Sequence, residues 1–98
     1  MTRRGGNIRV LVIDDSQTAR ELLVAILQTS EGIRVIGSGV DGVEAVRLTK
    51  RMRPDVILMD VDMPKLDGLE ATREIMSEIP TPIVLITGTL MLSDMDLS

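Results

Sequence analysis

Two short apolar segments, each followed at once by aspartate, constrain this chain more than any other feature. Residues 10–13 precede Asp14 and Asp15, and residues 56–59 precede Asp60. Segments so rich in β-branched and aliphatic residues are typical of strands buried on both faces of a parallel sheet. A carboxylate at the end of a buried strand is costly unless a positive partner neutralises it or it takes part in chemistry. The pattern therefore predicts an α/β sheet with an acidic functional site at the carboxyl ends of its strands.

The rest of the chain alternates between strand-like and helix-like segments. Aliphatic runs and apolar residues at helical spacing predict strands at residues 8–13, 33–38, 55–60 and 83–87, and helices at residues 17–29, 43–52 and 68–79. Gly39 to Gly42 is a predicted turn, and Ser16 or one of the aspartates before it is placed to cap the first helix. Pro54 ends the second helix.

This alternation predicts a single α/β domain with a doubly wound, flavodoxin-like parallel sheet. Strands joined by helical crossovers imply right-handed connections and helices on both faces of the sheet. We expect the domain to span residues 8–98 after a loose tail at residues 1–7, with residues 89–98 either beginning a helix or forming a frayed end. The apolar stripe of the first helix is assigned to the core; it consists of Ala19, Leu22, Leu23, Ile26 and Leu27.

The composition excludes several classes of function. None of the 98 residues is aromatic, so bases have nothing to stack on, and the net charge of −4 argues against a nucleic-acid surface. The chain has neither cysteine nor histidine, which excludes thiolate and imidazole metal sites and suits a reducing cytoplasm. No apolar run approaches the roughly 20 residues of a membrane span. We therefore predict a cytoplasmic domain that binds neither nucleic acid nor membrane.

The predicted sheet brings Asp14, Asp15 and Asp60 together at strand ends, with Thr87 at the end of the fourth strand. Mg²⁺ is usually held by one or two carboxylates while it keeps several waters. Asp60 could ligate the cation and also attack phosphorus, since carboxylate nucleophiles form acyl phosphates. The simpler interpretation, a helix cap and a turn residue, explains one strand-end aspartate better than it explains three.

Four motifs, in their order and spacing, resemble the receiver domain of two-component response regulators. They are Val12-Ile13-Asp14-Asp15-Ser16, residues 55–60, Met63-Pro64-x-x-Asp67-Gly68 and residues 83–88. The resemblance runs from Ile8 to about Thr89. The first helix and residues 60–68 are most similar to receivers of chemotaxis methylesterase-type regulators, although no esterase domain is present in these 98 residues.

The resemblance implies a role for each acid. Asp60 would be the phosphoacceptor, and Asp14 and Asp15 would hold Mg²⁺ together with Asp60 and the backbone carbonyl of Asp62. Thr87 would be the switch hydroxyl that moves to meet the phosphoryl group. The expected partner is a sensor histidine kinase or a phosphotransfer protein. Such a domain is a signalling switch rather than an enzyme, and at most it promotes its own phosphorylation and dephosphorylation.

The chain departs from the family pattern at its end. Receivers continue with a fifth strand, whose terminal Lys contacts the phosphoryl group, and a fifth helix, whereas this sequence stops at Ser98. Lys65 is no substitute, because it lies in the loop after Asp60. We expect a shortened piece of a longer regulator, truncated after its fourth strand. The apolar fourth strand would then be an exposed edge, which predicts self-association or marginal stability.

A phosphatase of the haloacid-dehalogenase type is one alternative. Asp60 and Asp62 would be its nucleophile and general acid, and Thr87 its phosphate-binding residue. The motif of that family has Gly-Thr soon after the second aspartate, whereas this chain has Met63-Pro64 there. It also leaves Asp14 and Asp15 without a role.

A nucleotide-binding α/β module is the other alternative. The segment Gly37-Ser38-Gly39-Val40-Asp41-Gly42 has the spacing of a dinucleotide-binding fingerprint. The chain is too short for the two mononucleotide-binding halves of that fold, and the acids again go unexplained. A glycine-rich turn before the second helix is the simpler interpretation.

Overall fold

Strands and helices alternate along the chain as the sequence predicts. The computed structural model describes residues 7–87. The elements are β1 (Ile8–Ile13), α1 (Gln17–Gln28), β2 (Ile33–Gly39), α2 (Gly42–Met52), β3 (Val56–Asp60), α3 (Gly68–Glu78) and β4 (Ile83–Ile86). The strands are parallel and lie in the order β2-β1-β3-β4, which confirms the flavodoxin-like α/β fold. The predictions for residues 1–6 of the tail and for residues 89–98 lie outside the described residues.

The strand order places a topological switch point at β1. The chain passes from β1 to β2 on one side, and then crosses back to β3 and β4 on the other. With right-handed crossovers, α1 lies on one face of the sheet, and α2 and α3 lie on the opposite face, where they pack together. In such sheets the ligand crevice opens where the two directions part, at the carboxyl ends of β1 and β3.

The observed element ends differ from the predicted ones by one residue. β2 extends through Gly39 and α2 begins at Gly42, so the turn between them is shorter than predicted. β3 begins at Val56; the preceding Asp55 pairs with Arg9 of β1, since its Oδ2 accepts a hydrogen bond from the Arg9 amide at 2.8 Å and its own amide donates to the Arg9 carbonyl at 2.9 Å. The other shifts shorten α1, α3 and β4 by one residue each. None of the three helices within residues 7–87 is long and apolar enough to cross a membrane.

Each described helix begins at a side-chain cap. Ser16, Asp41 and Asp67 accept hydrogen bonds from the amide three residues further on, at 3.2, 2.9 and 2.9 Å respectively. Such a cap satisfies one of the amides that the first helical turn leaves without a partner. Ser16 is thus the cap of the first helix, one of the options that the sequence left open.

The core lies between the sheet and the α2–α3 layer. Alternate side chains of the two central strands point to this face, as strand geometry requires. They meet small and branched residues of the two helices and Met63 of the loop after β3. The buried set comprises Leu11, Ile13, Ile57, Met59, Met63, Ala45, Val46, Ala71 and Ile75.

The assignment of the α1 stripe to the core is wrong for the described residues. No residue of α1 is buried, and Leu22 and Ile26 are 59% and 54% exposed. The reason is geometric: α1 is the only described helix on its face of the sheet, so only the side that touches β1 and β2 is covered. Helical periodicity identifies an apolar face, but it does not supply the neighbour that covers it.

Candidate functional site

Three carboxylates meet at the switch point, as the sequence predicts. Asp14 and Asp15 follow β1 directly, and Asp60 is the last residue of β3. One carboxylate oxygen from each lies within 4.8 Å of the others. The cleft around them holds about 420 Å³ and is lined on its other side by apolar residues of α1 and by Ile86. Hard cations prefer oxygen ligands of this kind, so the donor set fits Mg²⁺.

Asp14 is the most firmly held of the three. Its side chain is buried, and its Oδ1 accepts a hydrogen bond from the amide of Ser16 at 2.9 Å. Its own amide donates to the carbonyl of Gly39 at 3.1 Å, which extends the β1–β2 ladder by one step. Asp15 is exposed by contrast. The cluster therefore has a rigid inner carboxylate and an outer one that faces solvent.

Asp60 lies half-buried between these groups, and its environment disfavours its charge. Burial, and after it the Asp14 carboxylate, raise the pKa of Asp60 above its ordinary value, and Asp15 and Asp62 add to this. A hydrogen bond from the Asp62 amide to Asp60 Oδ1, at 3.3 Å, acts in the opposite direction. A cation beside Asp60 would relieve this repulsion, because an opposite charge favours the ionised form.

This repulsion leads to a stability prediction for Asp60→Asn. A carboxyl whose pKa is raised on folding destabilises the folded state once the pH exceeds its unfolded pKa. Without divalent ions at neutral pH, we expect the variant to increase the free energy of unfolding, by less than about 1 kcal/mol because solvent screens much of the repulsion. Urea titration followed by circular dichroism measures this, with the exposed Glu31→Gln as the matched acid-to-amide control. A destabilised Asp60→Asn variant would contradict the prediction.

The two remaining predicted site residues, Asp62 and Thr87, lie at different distances from the cleft. Asp62 lines the same cleft. Thr87 directly follows β4, whose last residue Ile86 is in register with Asp60 and accepts a hydrogen bond from the Val61 amide at 3.0 Å. Thr87 therefore lies at the correct end of the sheet, beside the cleft but not among its lining residues.

Arg20 is a part of the site that sequence reasoning missed. Arg20 is the fourth residue of α1, and its Nη1 donates to the backbone carbonyl of Asp14 at 2.8 Å. A cation near a helix N-terminus opposes the helix dipole, so its presence there needs a compensating contact. That unfavourable placement is the sequence signal by which the role of Arg20 could have been predicted.

The glycine-rich segment serves packing rather than nucleotide binding. Gly37 and Gly39 belong to β2, where a Cβ would come within 3.2 Å of the Met52 sulphur and 3.0 Å of Ile13 Cδ1, respectively. Gly42 opens α2, and its amide donates to the carbonyl of Leu66 at 2.9 Å. In a dinucleotide fingerprint the second glycine lets the backbone approach the pyrophosphate. Here the second glycine, Gly39, ends β2 and packs against the side chains of Ile13 and Glu44.

The fold and the acidic cluster together define an α/β domain with three carboxylates at its switch point that could hold a metal ion. The chain belongs to the response regulator receiver domain family, whose sequence profile matches residues 10–96. It is therefore a phosphoacceptor signalling domain of the two-component type, as its motifs predict. The phosphatase and nucleotide-binding alternatives are not favoured.

Relatives of known sequence support the predicted subfamily. The chain is 50% identical over 91 residues to protein-glutamate methylesterase/protein-glutamine glutaminase 4 of Myxococcus xanthus, covering 93% of this chain and 26% of that protein. It is 54% identical over 85 residues to the corresponding protein 3 of Hahella chejuensis, covering 87% and 24%. The chain thus spans about a quarter of the length of these relatives.

Solved structures agree with this placement. The crystal structure of the response regulator domain of Thermotoga maritima CheB has a TM-score of 0.81 at 42% identity, over 83% of this chain and 60% of that one. A CheX-CheY-BeF3-Mg complex from Borrelia burgdorferi has a TM-score of 0.77 at 29% identity, over 95% of this chain and 73% of that one.

Proposed function

We propose that Asp60 is the residue that accepts the phosphoryl group. The observation that carries this proposal is the convergence of three carboxylates at the switch point, with Asp60 between the buried Asp14 and the exposed Asp15. Asp14 is less accessible for attack, because its side chain is buried. Asp60 ends a central strand, opens onto the cleft and has a pKa raised by burial, which suits a half-desolvated nucleophile.

The proposed step is an in-line transfer from a phosphohistidine of a sensor histidine kinase or a phosphotransfer protein. A carboxylate oxygen of Asp60 attacks phosphorus and a P–O bond forms. The P–N bond of the donor breaks, and its electron pair stays on the imidazole nitrogen. The other ring nitrogen carries a proton throughout, so the imidazole leaves as the neutral ring. The product on this chain is an acyl phosphate, which water can later hydrolyse.

Asp14, Asp15, the Asp60 carboxylate and the backbone carbonyl of Asp62 are the proposed Mg²⁺ ligands. When bound, Mg²⁺ would screen the repulsion between the Asp60 carboxylate and the oxygens of an incoming phosphoryl group. Support for the three carboxylates comes from their mutual distances, and support for Asp62 comes from its place in the cleft next to Asp60. All four ligands are oxygens, the type that Mg²⁺ prefers.

Thr87 is the proposed switch residue. It follows a strand whose end pairs with Asp60, so a hydroxyl at this position needs to move only a short way along the sheet edge to reach a phosphoryl oxygen. Such a movement would shift the segment that follows β4 and would bias a two-state equilibrium. The output of the domain would then depend on that shift.

We also propose that the chain associates with itself through β4. Within residues 7–87, β4 forms one edge of the sheet, and Val84 and Leu85 are 51% and 37% exposed. An apolar edge strand with free backbone groups is a template for pairing with another strand. Sedimentation velocity should show concentration-dependent association, whereas a well-folded monomer at all concentrations would contradict it.

Labelling by a small phosphodonor tests the proposed function. Acetyl phosphate with Mg²⁺ should add one phosphoryl group per chain, detected by intact-protein mass spectrometry and removed by hydroxylamine, as acyl phosphates are. EDTA should prevent it. Steady turnover of a phosphomonoester would instead favour the phosphatase, and stoichiometric labelling without turnover favours the receiver.

A further inference from the structure

The loop that follows Asp60 is attached to the start of α2 by an unusually close backbone approach. Gly42 donates its amide to the carbonyl of Leu66 at 2.9 Å. A Cβ on Gly42 would overlap that carbonyl oxygen and carbon, at distances that real Cβ atoms do not adopt. Because both contact atoms on the loop side belong to backbone, the overlap could be relieved only by moving the loop or the helix.

A strained residue beside this contact shows that the loop conformation is imposed. Lys65 has φ of 64°, a left-handed conformation that costs a non-glycine residue energy and persists only where surrounding contacts enforce it. Its Nζ lies 3.7 Å from Oδ2 of the buried Asp41, the residue that caps α2. The lysine head group is largely exposed, so the ion pair alone is weak, and the Gly42 contact is the stronger of the two constraints.

The other end of the loop is also fixed. The Gly68 amide donates to the carbonyl of Val61 at 3.0 Å, and the Val61 amide donates to Ile86 at 3.0 Å. Along the chain, Asp62 lies between Val61, which makes both of these hydrogen bonds, and Leu66, which accepts the hydrogen bond from Gly42 (the Gly42 anchor). The backbone around Asp62 therefore has two attachments, one to the sheet and one to α2.

We propose that Asp41 and Gly42 form a positioning site for residues 61–67, through which α2 sets the place of the Asp62 backbone at the metal. The inference rests on the proposed Mg²⁺ ligands. Mg²⁺ demands near-ideal octahedral geometry, so a carbonyl ligand on a loose loop binds it less well than one that is held. Groups that orient metal ligands typically change metal affinity by about 10- to 100-fold.

Gly42→Ala tests the positioning role, with Gly37→Ala as its matched control. Both replace a glycine of the same segment, but a Cβ at Gly37 meets the flexible end of the Met52 side chain rather than backbone. We expect Gly42→Ala to weaken Mn²⁺ binding, measured by the EPR signal of the free ion, by roughly tenfold, and Gly37→Ala to change it less than about twofold. Alanine favours a helix over glycine, so a weaker affinity would not come from loss of α2.

Hydrogen exchange on the unaltered chain provides a second test that needs no variant. Coupling between two sites is reciprocal, so if the anchor assists the metal, the metal must stabilise the anchor. If the Gly42–Leu66 contact increases the affinity for the metal roughly tenfold, saturating Mg²⁺ should slow exchange of the Gly42 amide by roughly the same factor. The Arg53 amide, which donates to Thr49 at the far end of α2, is the control for global stabilisation.

The outcomes separate this inference from the proposed function. The positioning role is supported if Mg²⁺ slows exchange more at the Gly42 amide than at the Arg53 amide, and if Gly42→Ala binds Mn²⁺ more weakly than wild type. Equal exchange changes at both amides, or equal affinity of wild type and Gly42→Ala, would overturn it while leaving the metal site intact. A wild-type chain that takes up no Mn²⁺ would overturn the proposed ligands and this inference with them. If Gly42→Ala does not fold, the exchange measurement alone decides.

Discussion

Asp60→Asn is expected to abolish phosphoryl uptake from acetyl phosphate, with a loss on the order of 100-fold or more. An amide oxygen is a far poorer nucleophile than a carboxylate, and it brings no negative charge to the Mg²⁺ site. The substitution preserves shape, and the amide can still accept the hydrogen bond that Asp62 donates to Oδ1. Intact-protein mass spectrometry in the presence of Mg²⁺ measures the labelled fraction. Equal labelling of wild type and variant would contradict the assignment of Asp60 as the phosphoacceptor.

Asp62→Asn is the matched control for this experiment. In the proposed receiver site, Asp62 would contribute its backbone carbonyl, which the substitution leaves in place, so labelling should fall by no more than a fewfold. In a phosphatase, Asp62 would donate the proton to the alkoxide leaving group of a phosphomonoester, and its loss would typically cost about 10²- to 10⁴-fold in turnover of such a substrate. Phosphomonoester turnover that is lost in Asp62→Asn would therefore favour the phosphatase chemistry.

Leu11→Ala is expected to have the largest effect on stability. Leu11 is fully buried in the central strand β1, under the α2–α3 layer. Deleting its branched end removes apolar contacts and leaves a cavity, which costs about 2–5 kcal/mol. A domain of this size is stable by only about 5–15 kcal/mol, so the variant should lose a large fraction of its stability and unfold at a clearly lower urea concentration than wild type. Circular dichroism during urea titration measures it, since the chain has no aromatic fluorophore.

Leu22→Ala makes the same chemical change on α1, where the side chain is 59% exposed. We expect a cost within about 0.5 kcal/mol, because little apolar area returns to water and alanine is a good helix former. The ratio of the two costs measures how asymmetric the core is. A cost for Leu22→Ala near that of Leu11→Ala would mean that the α1 face is covered in solution.

Much of the fold could be predicted because its signals are local. The β-branched runs before Asp14 and Asp60 identify the two central strands, and Ser16 identifies the start of α1. Element ends were less predictable, because they depend on partners distant in sequence. At the start of β3, for example, the Asp55 side chain takes the place of a backbone acceptor for the amide of Arg9, 46 residues away, and no local pattern contains that information.

The candidate site divides in the same way. Its carboxylates were predictable, since parallel strands that end in acid must bring those acids to one edge of the sheet. The contacts that hold them were not. Arg20 reaches the Asp14 carbonyl only because α1 turns back over β1, and Lys65 adopts a left-handed conformation only because α2 lies beside its loop.

The sequence by itself determined the order of strands and helices, the acids at the strand ends and the family to which the chain belongs. These depend on residue periodicity and on motifs, which are properties of neighbours along the chain. Only the tertiary structure decided that the α2–α3 face holds the core while α1 stays exposed, and that Gly42 approaches the loop after Asp60. Burial and close approach depend on which elements share a face, and that follows from the crossing of the chain at β1 rather than from any single segment.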